Sequence, residues 1–293
     1  MNNIFQTLEK LGLTSKQSRV LYSNRTRDKE NLKVWKDSKS GVIYIDDFYI
    51  GNETYVTGSY RNDKVGDLAS ERPDFERNSD AQRRFSSNLE FVAGKKIVDF
   101  GCGSGDFLKL VQPYCTEATG VDLQQNYLDE LNANGILCTN DIETIEDNSL
   151  DRIVSFHVLE HLPDPIKNLS ALKRKIVSGG QILIEVPHAK DFLLSSVECE
   201  KFKQFTLWNQ HLILHTRESL QKMLEFVGFK EIQIKGVQRY PLSNHLYWLS
   251  EGKPRGHKSQ LSSLDSENLV EVYQNSLSLI DATDTLVAIA KVP

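Results

Sequence analysis

The chain has 293 residues, with 35 Lys+Arg against 40 Asp+Glu and a formal net charge of −5. Hydrophobic residues at 39% and charged residues at 26% exclude a wholly disordered or fibrous chain, and the length suffices for one large domain or two small ones with a buried core. A mildly acidic balance, with a pI near 5.9, supplies no global field to draw nucleic acid.

No apolar run approaches the ~18 residues that a membrane span requires. The first ten residues lack the basic-then-apolar layout of a secretory signal. Cys102, Cys115, Cys138 and Cys199 form no C-x-x-C pair, which argues against a Cys-rich zinc module and fits a reducing compartment. The expectation is a cytoplasmic protein with a small-molecule partner, without nucleic acid or membrane. A homodimer is left open.

In chain order, Leu32–Trp35 and Gly41–Ile45 flank Asp37–Gly41 and read as a hairpin. Residues 61–84 carry acids and bases in equal number, the pattern of a solvated loop running into a helix. From Lys95 onward, apolar β-branched runs alternate with amphipathic stretches. Strands are expected at 96–100, 118–122, 136–139, 151–156 and 181–186. Helices are expected from 106, from 124 to 133, and from 166 to 177, the last stopped by Gly179-Gly180. Such alternation means βαβ units: an α/β fold with a mostly parallel, Rossmann-like sheet covered by helices on both faces. The expected division is an N-terminal cap over 1–90 and a catalytic domain over 91–293, with inserts at about 188–216 and 238–262.

Between the first of these strands and its helix lies Gly101-Cys102-Gly103-Ser104-Gly105. Glycines there let the backbone turn sharply and approach a ligand, while the helix behind offers free N–H groups. Asp122 closes the next strand, where a carboxylate can accept ribose hydroxyls. The dinucleotide pattern G-x-G-x-x-G fails, because its third glycine falls on Asp106, an acid that would face a pyrophosphate. A nucleoside cofactor carrying an amino acid instead of phosphates suits the loop better, and S-adenosylmethionine is such a molecule.

The segment Val98–Gly105 resembles motif I of the class I S-adenosylmethionine-dependent methyltransferases, with Asp99 as its acid. Asp122 resembles their ribose-binding acid, followed here by Leu123. Asn140-Asp141-Ile142 is similar to the segment that meets adenine. Ser155–Pro165 resembles the segment after strand four in the small-molecule branch, which includes quinone and deoxysugar enzymes. The resemblance runs from about Lys95 to Phe229. It implies a seven-stranded sheet whose last strand, about Thr285–Lys291, is antiparallel. It also implies a cofactor site formed by Tyr60, Asp99, Gly101, Cys102, Gly103, Gly105, Asp122, Leu123, Asp141, Ile142, Phe156 and His157. Tyr55, with Tyr60, resembles the tyrosines that cover the cofactor in such enzymes. The zinc module that precedes some sugar methyltransferases has no counterpart, since no cysteine precedes Cys102.

His157-Val-Leu-Glu-His161 also satisfies H-x-x-E-H, the inverted zinc-protease motif. That motif needs both histidines on one long helix, whereas a β-branched run ends at Phe156 and Pro163 and Pro165 follow. No metal site is expected. Further along, Trp208, Gln210 and His211 match an aromatic–Glu–His pattern of the deoxysugar methyltransferases, in which the histidine is the general base; here Gln210 replaces the acid. His211 is the first candidate for base and His161 the second, an imidazole being suited to proton removal near neutral pH. His215, before Thr216 at an expected helix cap, is given a local structural role. Trp208, Asn209, Arg239, Tyr240, Asn244 and His245 are the mix of polar and aromatic groups that binds a hydroxylated or phosphorylated ligand. Gly252–Ser259 resembles a P-loop only superficially, since His257 interrupts it.

The expected reaction is methyl transfer from S-adenosylmethionine to a sugar nucleotide or phosphorylated metabolite, in carbohydrate (surface-polysaccharide) biosynthesis. The alternatives are a nicotinamide-dependent Rossmann enzyme and a catalytically silent module that keeps the cofactor fold.

Overall fold

A computed structural model describes residues 2–58 and 74–293. Tyr60 and most of the charged stretch therefore lie outside the described residues. Among those described there are eleven strands: β1 (Arg19–Ser23), β2 (Val34–Asp37), β3 (Ile43–Tyr44), β4 (Lys96–Phe100), β5 (Glu117–Val121), β6 (Cys138–Thr139), β7 (Leu150–Phe156), β8 (Ile176–Pro187), β9 (Ile213–Leu214), β10 (Lys230–Val237) and β11 (Thr285–Lys291). They form a seven-stranded sheet in the order β10-β11-β8-β7-β4-β5-β6 and a four-stranded sheet in the order β1-β2-β3-β9.

β4 pairs in parallel with β5 and β7, and β5 with β6. β11 runs against β8: the amide of Val292 donates to Gly180 and that of His188, at the other end, to Asp284. The antiparallel last strand is as expected. The helix ahead of β8 spans Pro165–Lys175, with Asp164 capping it through the Lys167 amide and proline at its first position. Gly179-Gly180 is not its stop, as expected from sequence, but lies inside β8. Gly179 takes φ +79° and donates to Val292, and a Cβ on Gly180 would press on the carbonyl oxygens of Asp151 and Val177. The glycines are needed for strand pairing, and the helix ends at Lys175, four residues before Gly179.

The chain divides into two compact units, one of Met1–Tyr49, Glu185–Lys222 and Ile234–Val287, the other of Ile50–Ile184, Met223–Gln233 and Ala288–Pro293. The expected boundary near residue 90 is thus replaced by one near residue 50, and the two inserts group with the N-terminal segment. The physical reason is strand pairing: β3 meets β9, with Ile43 opposite Leu214 and Tyr44 opposite Ile213. The expected hairpin is present, with Trp35 opposite Tyr44. Its turn is held by the Asp37 carboxylate, which accepts the amides of Lys39 and Ser40, while Gly41 takes φ +73°. Tyr44 is buried in this unit, its hydroxyl 3.1 Å from that of Thr14.

Two buried histidines belong to the same unit. His188 Nδ1 donates to the carbonyl of Thr283 at 2.9 Å, and burial pushes its pKa down to about 4 despite Asp281. His245 stacks on Phe192, lies 2.7 Å from the Tyr273 hydroxyl, and is likewise pushed down to about 4 by burial. His215 Nδ1 lies 3.2 Å from the Ser219 hydroxyl, and Thr216 and Ser219 exchange bonds from amide to hydroxyl at the start of helix Arg217–Val227.

In the other unit, Ile97, Val98, Leu108, Leu131, Ile153 and Val154 are fully buried around β4, β5 and β7. The glycine loop is set into this core. Gly101 has φ +83°, and a Cβ there would stand 2.2 Å from Val158 Cγ2; Gly105 has φ +73°, and its Cβ would stand 2.5 Å from Leu131 Cδ2.

Two expectations follow. Gly101→Ala combines a left-handed backbone with a collision, and should cost about 3 kcal/mol of unfolding free energy in chemical denaturation. Adding Val158→Ala should return part of that loss. For the histidines, the fold stabilises the neutral ring, so their contribution is complete above the unfolded-state value of about 6.5 and is lost as pH falls toward 4. Calorimetry from pH 7 to pH 4.5 should show a falling midpoint, with a shallower fall in His245→Gln, whose side chain does not titrate.

Candidate functional site

The second unit carries the glycine loop. β4 ends at Phe100, and the chain turns at once because the amides of Gly101 and Cys102 both donate to the carbonyl of Val121, at 2.7 and 3.2 Å. The Gly103 amide then donates to Asp122 Oδ2 at 2.8 Å, while Asp122 Oδ1 accepts the Gln124 amide at 2.9 Å. The carboxylate at the end of β5 thus ties the loop after β4 to its own turn. Each carboxylate oxygen keeps a second lone pair, and the residue is half-exposed, so Asp122 is able to accept two further hydroxyl protons.

At Gly101 and Gly105 a Cβ would meet Val158 and Leu131, so protein neighbours by themselves already demand glycine at both positions. Gly103, with φ +55° and its amide on Asp122, is the member of the three that shapes the cradle itself. Cys102 turns its thiol inward over Gly120. Asp99 is buried in β4, where burial pushes its carboxyl up to about 7 against the pull of Arg84, with Asp122 adding to the rise.

The other expected cofactor residues divide. Leu123 is exposed beside Asp122, an apolar surface at the mouth of the cradle. Asp141 is exposed and caps the turn Ile142–Thr144 by accepting the Glu143 amide; Ile142 is half-buried. Phe156 is buried, edge-on to Phe107 at 4.9 Å with the Arg84 guanidinium 4.6 Å above its ring. His157 has φ +56°, and its Nδ1 lies 3.1 Å from Glu160 Oε1.

His157–His161 does not form one helix. β7 ends at Phe156 and Leu159–His161 is a single 3-10 turn, as Pro163 and Pro165 required. The fully buried Glu160 carboxylate faces both imidazoles, with His161 Nε2 at 3.9 Å, and Tyr55 stands edge-on to His161 at 5.9 Å. Glu160 and Arg84 were not among the residues singled out in the sequence. Glu160 is visible there only as the acid of H-x-x-E-H, and Arg84 only as one charge in a mixed run.

The first unit carries the remaining candidates. His211 follows a tight turn in which its amide donates to the Trp208 carbonyl, and the two rings are edge-to-face at 5.2 Å. Arg27 covers Trp208 at 4.3 Å, and Asn209 donates its amide to Asp28. His211 and Trp208 line a small cavity with Val34 and Ile45. Gln210 is buried. Arg239 and Tyr240 both donate their amides to Asp284, leaving the Arg239 guanidinium 5.5 Å from the Tyr240 ring.

Two expected substrate residues have work inside the unit instead. Asn244 Oδ1 accepts the amides of Arg255 and Gly256 and so closes the turn after helix Leu242–Glu251. His245 is held between Phe192, Gln238 and Tyr273. Burial of Asn244 and His245 follows from helix Leu242–Glu251 laying one face against its own unit.

Comparison with known proteins agrees with this geometry. The family described as Methyltransferase domain matches residues 72–234, more than half of the chain. A ubiquinone biosynthesis O-methyltransferase of Coxiella burnetii is 29% identical over 170 residues, covering 52% of this chain and 71% of that protein. One from Idiomarina loihiensis is 27% identical over 170 residues, covering 53% and 70%. A SAM-dependent methyltransferase from Archaeoglobus fulgidus, solved by crystallography, shares the fold with a TM-score of 0.52 at 20% identity, over 73% of this chain and 94% of that one. A glycine loop tied to the acid at the end of β5, in a sheet whose last strand is reversed, accompanies the match, and the chain belongs to the methyltransferase domain family.

Proposed function

We propose that the chain transfers a methyl group from S-adenosylmethionine to an oxygen of a small hydroxylated acceptor, with a histidine as general base. The observation that carries the reading is the Asp122 carboxylate, fixed by the Gly103 and Gln124 amides with lone pairs to spare at the mouth of the glycine loop. Bound there, S-adenosylmethionine supplies a sulfonium-activated methyl group.

The chain's own residues do the rest. Asp122 accepts the ribose hydroxyls, Leu123 and Ile142 offer apolar surface to adenine, and Asp141 is its polar neighbour. Gly103 and Asp99 lie toward the amino-acid end. The nicotinamide reading gives way to the family match; a silent module that keeps the fold remains the alternative to an active enzyme.

His211 is the proposed base, taking the proton from the acceptor hydroxyl as the methyl group arrives; His161, beside the buried Glu160, is the second candidate. Withdrawal of that proton and alignment of the hydroxyl are the protein's contribution, each worth orders of magnitude in rate. For the acceptor we favour a sugar nucleotide or phosphorylated metabolite. Arg239, Tyr240, Lys253 and Arg255 supply cations and aromatic faces in a part of the chain that the family match leaves out. A hydroxylated aromatic acceptor is the second reading, and the names of the two bacterial relatives favour it.

Incubation with methyl-labelled donor and panels of nucleotide sugars, phosphorylated metabolites and catechol-type phenols tests this. Label in the first two classes supports the preferred acceptor; label only in the phenols replaces it with the second reading. No label in any class, with donor binding intact, favours the silent module. Asp122→Ala should weaken S-adenosylhomocysteine binding about 10- to 100-fold in calorimetric titration, the loss of one to two charged hydrogen bonds. His211→Ala should slow turnover at least about 100-fold and leave that binding within about twofold. A variant that loses binding rather than turnover would remove His211 from the base role.

A further inference from the structure

We propose that Cys102 and Cys138 form a reversible disulfide on exposure to a hydroperoxide, and that the bridge distorts the glycine loop and weakens cofactor binding. The second half rests on the reading of that loop as the cofactor site.

The pair is invisible in the sequence, where 35 residues separate the two cysteines, and arises from sheet order. β5 lies between β4 and β6, so the loop leaving β4 and the strand β6 flank it. Gly120 of β5 is in register with Cys138. It has no side chain, and the two thiols lean over it from either side. A Cβ built on Gly120 would lie 2.7 Å from the sulfur of Cys102 and 2.7 Å from that of Cys138. The Cys102 thiol donates to the Gly103 carbonyl at 3.8 Å, and the closeness of the two sulfurs favours ionisation of Cys138 and, with burial, opposes that of Cys102. Asp99 and Asp122 oppose ionisation of both. The two thiols are free and half-buried.

Both sides of the pair have room to move. β6 is a two-residue strand at the sheet edge, its Cys138 amide and carbonyl bonded to the exposed side chain of Asn132. Cys102 sits between Gly101 and Gly103, both at positive φ. A disulfide needs the sulfurs at about 2.05 Å, closer than two unbonded sulfurs pack, so the loop or the edge must shift. Any shift at Cys102 pulls on the Gly103 amide, and with it on the bond to Asp122.

The chemistry begins at Cys138, the more readily ionised thiol. Its thiolate attacks the outer oxygen of the peroxide and the O–O bond breaks. The departing alkoxide or hydroxide takes up a proton, and Cys138 is left as a sulfenic acid. The Cys102 sulfur then gives up its proton and attacks the Cys138 sulfur; the S–O bond breaks and hydroxide leaves as water. Two thiols have lost two electrons and two protons, and the peroxide has been reduced to water and an alcohol, or to two waters. A thiol reductant reverses the bridge by exchange.

The test uses the full chain treated with hydrogen peroxide, followed by intact-mass measurement, peptide mapping without reduction, and titration with S-adenosylhomocysteine before and after. The expected product is two hydrogens lighter, with a peptide linking Cys102 to Cys138, and binds S-adenosylhomocysteine at least about tenfold more weakly until dithiothreitol restores it. Cys138→Ser should form no bridge and bind alike before and after peroxide. Absence of the linked peptide, or a bridged protein that binds as tightly as the reduced one, overturns the proposal. Loss of binding in peroxide-treated Cys138→Ser does so too, since oxidation of Cys102 alone would then suffice. A reduced wild-type protein that fails to bind S-adenosylhomocysteine overturns the cofactor reading instead, and the linked peptide still decides the thiol chemistry.

Discussion

One carboxylate organises the cofactor half of this protein. Asp122 stands where β5 ends, and its two oxygens are claimed by the Gly103 amide on one side and the Gln124 amide on the other. A charge-assisted bond of this kind is roughly twice as strong as a neutral one, and here it joins a loop to a strand that is not its own. Around it the glycines divide their labour: Gly101 and Gly105 make way for Val158 and Leu131, while Gly103 brings its amide to the acid. The sheet order β7-β4-β5-β6 then fixes everything else at this edge, including the buried Phe156 and the turn that presents Glu160 to His157 and His161.

The two units use buried polarity differently. In the unit with the glycine loop, the buried acids Asp99 and Glu160 sit next to residues that sequence patterns associate with binding and proton transfer. In the other, His188, His215, His245 and Asn244 are buried and bonded to carbonyls, hydroxyls and amides of their own unit. Of the seven histidines, these three are thus bonded within their own unit. His211, half-buried and edge-to-face with Trp208, lines a small cavity whose walls include none of these three histidines.

What the sequence revealed and what it concealed follow from the range of the interactions. Strands β4, β5 and β7 and the loop after β4 were legible because each is announced locally, by a β-branched run, a glycine or a closing acid, whereas β11 and its reversed direction came from the family resemblance. The H-x-x-E-H stretch was correctly denied a helix, since two prolines decide the matter within four residues of His161. The extension of β8 back through Gly179-Gly180 was hidden, because a glycine pair after a helix reads as its end when the partner strand, at Val292, is far away in sequence. The pairing of β3 with β9 was hidden for a stronger reason: β9 has two residues and lies about 170 positions from its partner. No local pattern encodes a two-residue strand. Asn244 and His245 looked like ligand-binding groups for the same reason, their partners being supplied by tertiary structure.

That last pairing has a bearing on how the chain reaches its fold. During synthesis the hairpin Val34–Tyr44 emerges early, and its own turn closes at once around Asp37. The edge that completes its sheet leaves the ribosome only when Ile213–Leu214 appears, after the whole parallel sheet from β4 to β8 has been made. At ordinary elongation rates of roughly 5–20 residues per second, the hairpin waits on the order of ten seconds or more with one edge open. The first β-structure to form is thus among the last to be finished, and during that interval the nascent chain exposes an unpaired strand edge to its neighbours.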